Sequence, residues 1–301
     1  MKQVLLIATG GTIACRETEN GLSPTLTGAQ LLELMPELGQ VCAVEVCDLM
    51  HLDSTDLTAA DRMRIARTVW DSRAQYDGFV IAHGTDTLSY TAALLHHVLP
   101  GCDRPAVLTG SMFPMGAPGS DAPRNLLDAF RVAAAGCSGV FAVLHGKIMR
   151  GSHVCKYHSS EADAFLSAGA PLAGTVDETG LIHWDHLPPA AGEPAFVDQI
   201  DPHVLLVKLT PDIEPTFFAA LHGYPRVILE AFGAGGVPAR LEDVRSLIES
   251  GTRVYITTQC LEGGVDLHKY EVGRRAEAMG AVPLGARTTE DALAAVMCGE
   301  I

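Results

Sequence analysis

Residues 3–14 read QVLLIATGGTIA, and this stretch decides the fold class. It begins with a short apolar run that ends at Gly10-Gly11, which is typical of a buried strand leading into a tight turn. The same order of apolar strand, polar loop and helical pattern recurs over residues 79–99 and 105–135. Strands that alternate with helices predict an α/β fold with a mainly parallel sheet that is covered on both faces.

A proline-rich segment divides the chain. Residues 184–194 contain Pro188, Pro189 and Pro194 among small residues, as linkers often do. We therefore predict an N-terminal domain over residues 1–184, a linker over 185–200 and a smaller α/β domain over 201–301. The predicted elements of the smaller domain are strands at 204–209, 227–231 and 253–258 and helices near 214–222, 239–250, 270–279 and 289–298. In the larger domain, the further predictions are a strand over 41–50 and helices that begin at the capping-box spacings Thr27–Gln30 and Thr58–Asp61.

The net charge argues against several classes of partner. The chain carries 21 Lys and Arg against 36 Asp and Glu, which gives −15 at pH 7. Such a surface repels phosphate groups, so we expect no nucleic acid and no membrane as a partner. No stretch approaches the roughly 20 apolar residues of a transmembrane helix. The eight cysteines lack paired or zinc-type spacing, which favours reduced thiols in a cytoplasmic protein.

Three polar loops follow predicted strands of the N-terminal domain. They are residues 9–14, residues 53–55 (Asp53-Ser54-Thr55) and residues 83–87. Because ligands of an open parallel sheet bind beyond the carboxyl ends of its strands, we expect these loops to form a site. The first loop is neither a dinucleotide fingerprint nor a P-loop, since the required glycine spacing and the Gly-Lys-Ser/Thr are absent.

Two interpretations of Thr12 stand side by side at this point. Its hydroxyl is either a reactive group in a glycine-rich loop or, like that of Thr9, bonded only to nearby backbone. Asp86 is likewise either a helix N-terminal residue or a ligand for a substrate ammonium. Thr85 could relay a proton if a lysine lay nearby. The histidine pairs His153/His158 and His183/His186 have no matching carboxylates or cysteines, so we predict no metal site.

The chain resembles the bacterial-type asparaginase family, in particular its cytoplasmic branch, over essentially its whole length. Residues 9–14 (TGGTIA) and 83–87 (HGTDT) match the two signatures of that family in the usual order and separation. Further matches are residues 53–55, 109–114, 121–125, 150–156, 233–238, 258–262 and 270–274. The resemblance implies a flavodoxin-like sheet in the first domain. It also implies hydrolysis of the side-chain amide of L-asparagine without any cofactor.

The resemblance also implies roles for individual residues. Thr12 matches the nucleophile that attacks the amide carbon and forms a β-aspartyl ester. Thr85, Asp86 and Lys156 match a second catalytic group, in which the lysine tunes the proton of the threonine hydroxyl. Backbone N–H groups near Thr12 and Thr85 would form the oxyanion hole.

The substrate pocket follows from the same resemblance. Ser54 matches the residue that binds the α-carboxylate, with Asp53 and Thr55 beside it. Asp86 also matches the residue that binds the α-ammonium, and Thr85 lies next to it. The family further implies a homodimer or homotetramer whose site is completed by a partner subunit, to which Glu262 and Asp266 are candidate contributors.

Two positions depart from the family pattern. Leu22 occupies the place of a tyrosine next to the nucleophile, and leucine cannot pass a proton. Candidate replacements are Glu17, Glu19 or a residue of a partner subunit, although both glutamates also fit a solvated loop. Glu230 stands where an arginine accompanies the cysteine matching Cys260 in relatives with an effector site, so we do not predict allostery.

Other functions compete with an asparaginase. An amino-acid-binding pseudoenzyme would explain the missing tyrosine but not the retained Thr12, Thr85, Asp86 and Lys156. A glutaminase-asparaginase is expected more among exported relatives. An amidotransferase subunit shares the motifs, but such subunits carry an extra N-terminal domain, whereas this chain begins at its first strand.

Overall fold

The computed structural model describes residues 1–18, 21–187, 192–238 and 243–301. The chain divides into two compact units, Met1–Asp198 and Gln199–Ile301. Each unit has its own main sheet and its own apolar core. The prediction of an α/β protein with a larger, mainly parallel first sheet and a smaller second unit is confirmed.

The first unit contains an eight-stranded sheet, two small hairpin sheets and four α-helices within the described residues. Its strands are β1 (Gln3–Gly10), β2 (Cys15–Thr18), β3 (Gly21–Pro24), β4 (Ala43–Leu52), β5 (Gly78–Ala82), β6 (Pro105–Thr109), β7 (Gly139–Leu144), β8 (Lys147–Arg150), β9 (Val154–Lys156), β10 (Phe165–Ser167), β11 (Gly174–Val176) and β12 (Ile182–Trp184). Its helices are α1 (Gly28–Glu33), α2 (Ala59–Ser72), α3 (Leu88–Val98) and α4 (Ala122–Ala134).

Five strands of the large sheet run parallel in the order β4-β1-β5-β6-β7. Numbered along the chain, this order is 2-1-3-4-5, the flavodoxin-like arrangement. The strand order reverses between β1 and β5, and ligands of such sheets bind beyond the carboxyl ends of the strands at that point. Leu6 and Ile7 of β1 are fully buried, which explains why the strand that opens the fold is an unbroken apolar run.

The remaining strands are antiparallel. β8, β11 and β12 extend the sheet beyond β7, whereas β2 pairs with β3 and β9 pairs with β10 in separate hairpins. The sequence does not predict β8 to β12, because strands of three or four residues are too short to show an alternating pattern.

Capping boxes begin two of the helices, as predicted. The Thr27 hydroxyl accepts from Gln30 N at 3.2 Å while the Gln30 side chain accepts from Thr27 N at 3.0 Å. Thr58 and Asp61 form the same reciprocal pair at the start of α2. The main core cluster of the unit joins Leu126 and Phe130 of α4 to apolar residues of the sheet.

The second unit is a four-stranded, all-parallel sheet in the order β13-β14-β15-β16. Apolar clusters cover both of its faces. Its strands are β13 (Val204–Lys208), β14 (Arg226–Ala231), β15 (Arg253–Thr258) and β16 (Val282–Pro283). Its described helices are α5 (Asp243–Glu249), α6 (Glu271–Ala278), α7 (Thr289–Cys298) and the 3-10 helix Pro215–Leu221.

The predicted linker is partly packed onto the first unit. Residues 188–191 lie outside the described residues, and β12 ends at Trp184, the last residue predicted for the first domain. Ala195 N and Val197 N donate to backbone oxygens near the end of α3, and Phe196 stacks on Trp70 of α2 at 5.8 Å. The boundary between the units therefore falls after Asp198 in the structure, within the segment predicted as 185–200.

Two other predictions need correction. The strand predicted over 41–50 spans Ala43–Leu52, because Val41 closes the preceding 3-10 turn with its N–H on Leu38 O. The helix predicted near 214–222 is a 3-10 helix, in which Phe217 N donates to Glu214 O three residues earlier. Of the helix predicted over 239–250, the described part is Asp243–Glu249.

All eight cysteines are free, and burial raises the pKa of Cys42, Cys102 and Cys137 to about 11, as expected for cysteines that pack as small apolar groups.

Within the described ranges, every helix is too short or too polar to cross a bilayer.

The cap of α2 provides a test of local stability. Thr58→Ala removes the acceptor for Asp61 N, so we expect the free energy of unfolding to fall by about 1 kcal/mol. Thr68→Ala is the matched control, because the Thr68 hydroxyl only donates to Arg64 O inside the same helix. We expect that change to stay within about 0.5 kcal/mol. Equal losses for both variants in urea unfolding would show that the cap contributes nothing specific.

Candidate active site

Three loops converge where the strand order reverses. β1 ends at Gly10, β4 ends at Leu52 and β5 ends at Ala82, and these parallel strands are neighbours in the sheet. The loops that follow are the ones the sequence singles out. Their backbones touch, and glycines make that contact possible.

Gly10 and Gly11 let the first loop pass between its neighbours. Both have positive φ, 109° and 78°. A Cβ at Gly10 would lie 2.3 Å from Leu52 O, and a Cβ at Gly11 would lie 2.2 Å from Cα of Gly84. Any side chain would therefore push the loops after β1, β4 and β5 apart.

Thr12 begins a single turn of 3-10 helix, Thr12–Ala14, directly beyond this contact. Its side chain is half-buried, and its hydroxyl makes no hydrogen bond to any residue in the described part of the chain. Thr9 differs, because its buried hydroxyl donates to Ala82 O at 2.8 Å and so ties β1 to β5. The backbone-bonded interpretation therefore fits Thr9 but not Thr12.

The second loop presents Ser54 to the site. Ser54 is 3% exposed, and a Cβ at Gly84 would lie 2.7 Å from its Oγ. Asp53 and Thr55 are turned towards each other, since Asp53 Oδ1 accepts from Thr55 N at 2.8 Å and from Thr55 Oγ1 at 2.7 Å. These bonds hold the pKa of Asp53 below its usual value and shape the loop that carries Ser54.

Lys156 connects the third loop to the β9–β10 hairpin. Its ammonium donates to Thr85 Oγ1 at 3.0 Å and to Asp86 Oδ1 at 2.6 Å. The lysine side chain is 17% exposed, whereas that of Asp86 is 60% exposed and open to a ligand. α3 begins at Leu88 with Thr87 at its N-cap, so Asp86 lies one position before that N-cap.

His83 fixes the backbone just before Thr85. Its ring is fully buried, with Nδ1 2.6 Å from Gly84 O and Nε2 2.9 Å from Thr91 Oγ1. Because a carbonyl oxygen can only accept, we assign the ring hydrogen to Nδ1, and Nε2 accepts from the threonine hydroxyl. Burial lowers the pKa of His83 to about 4, and the Arg62 cation acts in the same direction, so the ring is neutral at neutral pH.

Some site features have no role assigned from the sequence. Thr87 Oγ1 donates to Ser54 O at 2.7 Å and so ties the third loop to the second. Gly84 contacts both Gly11 and Ser54. The repeated glycines and threonines in the two signatures are the signal for these contacts, because the strand pattern predicts that the loops meet but not which atoms bond.

Some residues singled out in the sequence lie outside the described residues or in the second unit. Glu19 and Asn20 lie outside the described residues, as do the side chains of Glu17 and Leu22, although the Leu22 backbone pairs with Glu17 in the β2–β3 hairpin. In the second unit, Cys260, Glu262 and Asp266 line a cavity of about 280 Å³ together with Lys269.

Glu230 is paired with Lys208 at 2.7 Å in the second unit. Among the described residues, no group of three His, Cys, Asp or Glu side chains is arranged to hold a metal ion.

The buried His83 predicts a pH dependence of stability. Its pKa is about 4 in the folded state against 6.5 when exposed, so unfolding takes up a proton between these values. The contribution of the neutral His83 ring to the free energy of unfolding is fully present above pH 6.5. It is lost as the pH falls towards 4, and the total loss is about 3 kcal/mol.

The protonation state can be measured directly by ¹⁵N NMR of the His83 ring at pH 5.5. We expect a neutral ring with hydrogen on Nδ1, and we expect Thr91→Val to shift the Nε2 resonance while leaving Nδ1 protonated. An imidazolium ring at this pH, or hydrogen on Nε2, would contradict the assignment.

Comparison with known proteins finds relatives that match nearly the whole chain. The profile of the family described as "Asparaginase, N-terminal" matches residues 3–188, and that of the "Glutaminase/Asparaginase C-terminal domain" matches residues 203–299. An L-asparaginase from Thermococcus kodakarensis is 39% identical over 302 residues, which cover 98% of this chain and 92% of the relative. The solved structure of the thermostable L-asparaginase from Thermococcus kodakarensis superimposes with a TM-score of 0.92, covering 99% of this chain and 92% of that one at 39% identity.

A second kind of relative shares the same sequence features. A glutamyl-tRNA(Gln) amidotransferase component from Methanopyrus kandleri is 35% identical over 94% of this chain, and the match covers 67% of that protein. Together, the two family profiles span nearly all of the chain, and each profile matches one compact unit. The chain belongs to the asparaginase family.

Proposed function

We propose that this protein hydrolyses the side-chain amide of L-asparagine to L-aspartate and ammonia, with Thr12 as the nucleophile. The observation that carries the proposal is the Lys156 ammonium, which is bonded to both Thr85 Oγ1 and Asp86 Oδ1 beside the glycine contact that precedes Thr12. A mere amino-acid-binding site has no need of a lysine held against a hydroxyl. The similarity to an L-asparaginase over 98% of the chain supports the same substrate.

The reaction proceeds in two halves. In the first half, Thr12 Oγ attacks the amide carbon, the C–N bond breaks, the leaving nitrogen takes a proton, and ammonia departs from a β-aspartyl ester. In the second half, water attacks the ester carbonyl and returns the proton to Thr12 as aspartate leaves. Backbone N–H groups near Thr12 and Thr85 stabilise the negative oxygen that develops in each half.

Lys156 supports the proton transfers through Thr85. A cation 3.0 Å from the Thr85 hydroxyl stabilises its negatively charged form, so the hydroxyl can give up and regain a proton more easily. The same lysine orients Asp86, whose carboxylate remains open to bind the α-ammonium of the substrate. Ser54 binds the α-carboxylate, supported by the loop that Asp53 and Thr55 shape.

The Thr12 hydroxyl remains available for attack because it makes no hydrogen bond within the described residues. The group that first takes its proton lies in the segment around Leu22 or in a partner subunit. We extend the proposal to a cytoplasmic homodimer or homotetramer, which the family resemblance supports.

The nucleophile is tested by ammonia release from L-asparagine. We expect Thr12→Ala to lower kcat by about three orders of magnitude or more, whereas Thr12→Ser, which keeps the hydroxyl, stays within about a hundredfold of the wild type. Parallel assays with L-glutamine and D-asparagine define the selectivity. Full turnover by Thr12→Ala would remove the residue from the chemistry, and tight binding of L-asparagine without turnover by the wild type would favour the pseudoenzyme.

The second catalytic group is tested with Thr85→Val and Lys156→Met. Each is expected to lower kcat by two or more orders of magnitude, a rise of about 3 kcal/mol in the barrier, because each breaks the bond between the lysine and the hydroxyl. Lys208→Met is the matched control, since it breaks the Lys208–Glu230 pair of the second unit. A near-normal kcat in either site variant would exclude that residue from proton transfer.

A further inference from the structure

We propose that Asp121 and Asn125 are positioning residues, which hold the loop after β6 against Thr85 and thereby aim the Thr85 hydroxyl at Lys156. This loop, residues 110–114, is called the β6 loop below. The inference rests on the proposed function, since it concerns the geometry of the second catalytic group. Neither residue has a part in the reaction described above.

The β6 loop touches the catalytic loop through Gly110. A Cβ at this position would lie 2.4 Å from His83 O and 3.3 Å from Cγ2 of Thr85, so the glycine backbone itself forms the wall beside Thr85. Threonine is branched at Cβ, and the place of its methyl group decides where its hydroxyl points. With the methyl against Gly110, the hydroxyl of Thr85 is directed to Lys156 at 3.0 Å.

Asn125 anchors Gly110 from the opposite side. Its side chain is 1% exposed, and its Nδ2 donates to Gly110 O at 3.0 Å and to Asp121 Oδ2 at 2.9 Å. Its Oδ1 accepts from His145 N at 2.8 Å, which also ties down the turn after β7. Both N–H groups of the amide are therefore in use, and loss of the bond to Gly110 would leave a buried carbonyl without its donor.

Asp121 secures the rest of the β6 loop. It occupies the N-cap position of α4, yet its side chain accepts from no backbone N–H of the helix. Its carboxylate instead accepts from Met112 N at 3.0 Å and from Phe113 N at 3.0 Å. The Asp121 side chain therefore bonds the loop that precedes the helix, whereas an ordinary N-cap side chain bonds the helix that follows it.

The local sequence explains why the cap is free to do this. Pro123 lies in the first helical turn and has no N–H to offer. Ala122 N donates to the Ser120 hydroxyl at 3.1 Å, so the serine satisfies the first free N–H of the helix. The carboxylate of Asp121 is thus left for the β6 loop and for Asn125.

Together these bonds form one connected path from α4 to Thr85. A buried polar network whose donors and acceptors are all used holds one arrangement, because any displacement leaves a polar group unpaired. A shift of the β6 loop away from His83 and Thr85 would let the Thr85 side chain rotate and its hydroxyl leave Lys156. Such a shift would slow the chemical step more than it weakens substrate binding.

The test compares Asn125→Asp and Asp121→Asn with Asp128→Asn, using the full chain and L-asparagine. Asn125→Asp removes the N–H donor to Gly110 O. Asp121→Asn places an amide N–H group opposite the backbone N–H groups from which the carboxylate accepts hydrogen bonds. We expect each to lower kcat by at least about tenfold while KM stays within about threefold. In both variants, the amides of Met112 and Phe113 should exchange hydrogen faster than in the wild type.

Asp128 provides the control on the same helix. Its carboxylate is fully buried but pairs with Arg124 at 2.5 Å and Arg131 at 2.9 Å. We expect Asp128→Asn to lower the unfolding midpoint and to leave kcat within about twofold of the wild type. If a site variant does not fold, Asn125→Ser replaces it, because serine removes the donor to Gly110 and leaves room for a water.

The outcomes separate the two proposals. Failure of the wild-type chain to release ammonia would overturn the proposed function. A wild-type chain that is active, with folded Asn125 and Asp121 variants of unchanged kcat, would overturn only the positioning role. A rise in KM with unchanged kcat, or an equal loss of kcat in Asp128→Asn, would also overturn it.

Discussion

The contact between Gly11 and Gly84 is the constraint on which the rest of the site depends. The two backbones lie so close that a single Cβ at Gly11 would come within 2.2 Å of Gly84 Cα. This contact joins the loops after β1 and β5 where the strand order reverses, and Ser54 of the loop after β4 packs on the same glycine. Without it, the three loops that carry Thr12, Ser54 and Thr85 would not meet.

Lys156 is the cation that orients the polar side chains of the third loop. An ion pair with a partner as exposed as Asp86 adds little to stability, about 1 kcal/mol or less. Its value lies in orientation, because the same ammonium bonds the Thr85 hydroxyl and one oxygen of the Asp86 carboxylate. The neighbouring carboxylate Asp53 is arranged differently, since its own loop satisfies one oxygen and lowers its pKa. Two aspartates at one sheet edge are thus arranged differently, since Asp53 is bonded within its own loop and Asp86 is bonded to Lys156 and largely exposed.

Several polar side chains around the site bond its backbone. The neutral ring of His83 holds Gly84, the Thr87 hydroxyl holds Ser54, and Asp121 with Asn125 holds the loop beside Thr85. These groups are largely buried, so each unmade bond would cost more than the bond itself contributes. A site built from short loops becomes rigid in this way without a disulfide among the described residues.

The sequence by itself determined the strands that carry the site and the residue types that follow them. The unbroken apolar run before Gly10-Gly11 predicts a buried parallel strand, and the capping boxes predict where α1 and α2 begin, because both signals are local. The resemblance then assigns Thr12, Thr85, Asp86 and Lys156 to one reaction. The three-residue strands from β9 to β12 escape prediction, since each is too short to show an alternating pattern of its own.

Only the tertiary structure decided which polar groups meet. It brings Lys156 to Thr85 across 71 positions, separates the structural Thr9 from the unbonded Thr12, and turns Asp53 and Thr55 towards each other. It also diverts Asp121 from its helix cap to the loop beside the site. The physical reason is that periodicity records which face of an element is apolar. The hydrogen-bond partner of a buried polar group depends on the crossing of loops far apart in the chain, and no local pattern encodes that crossing.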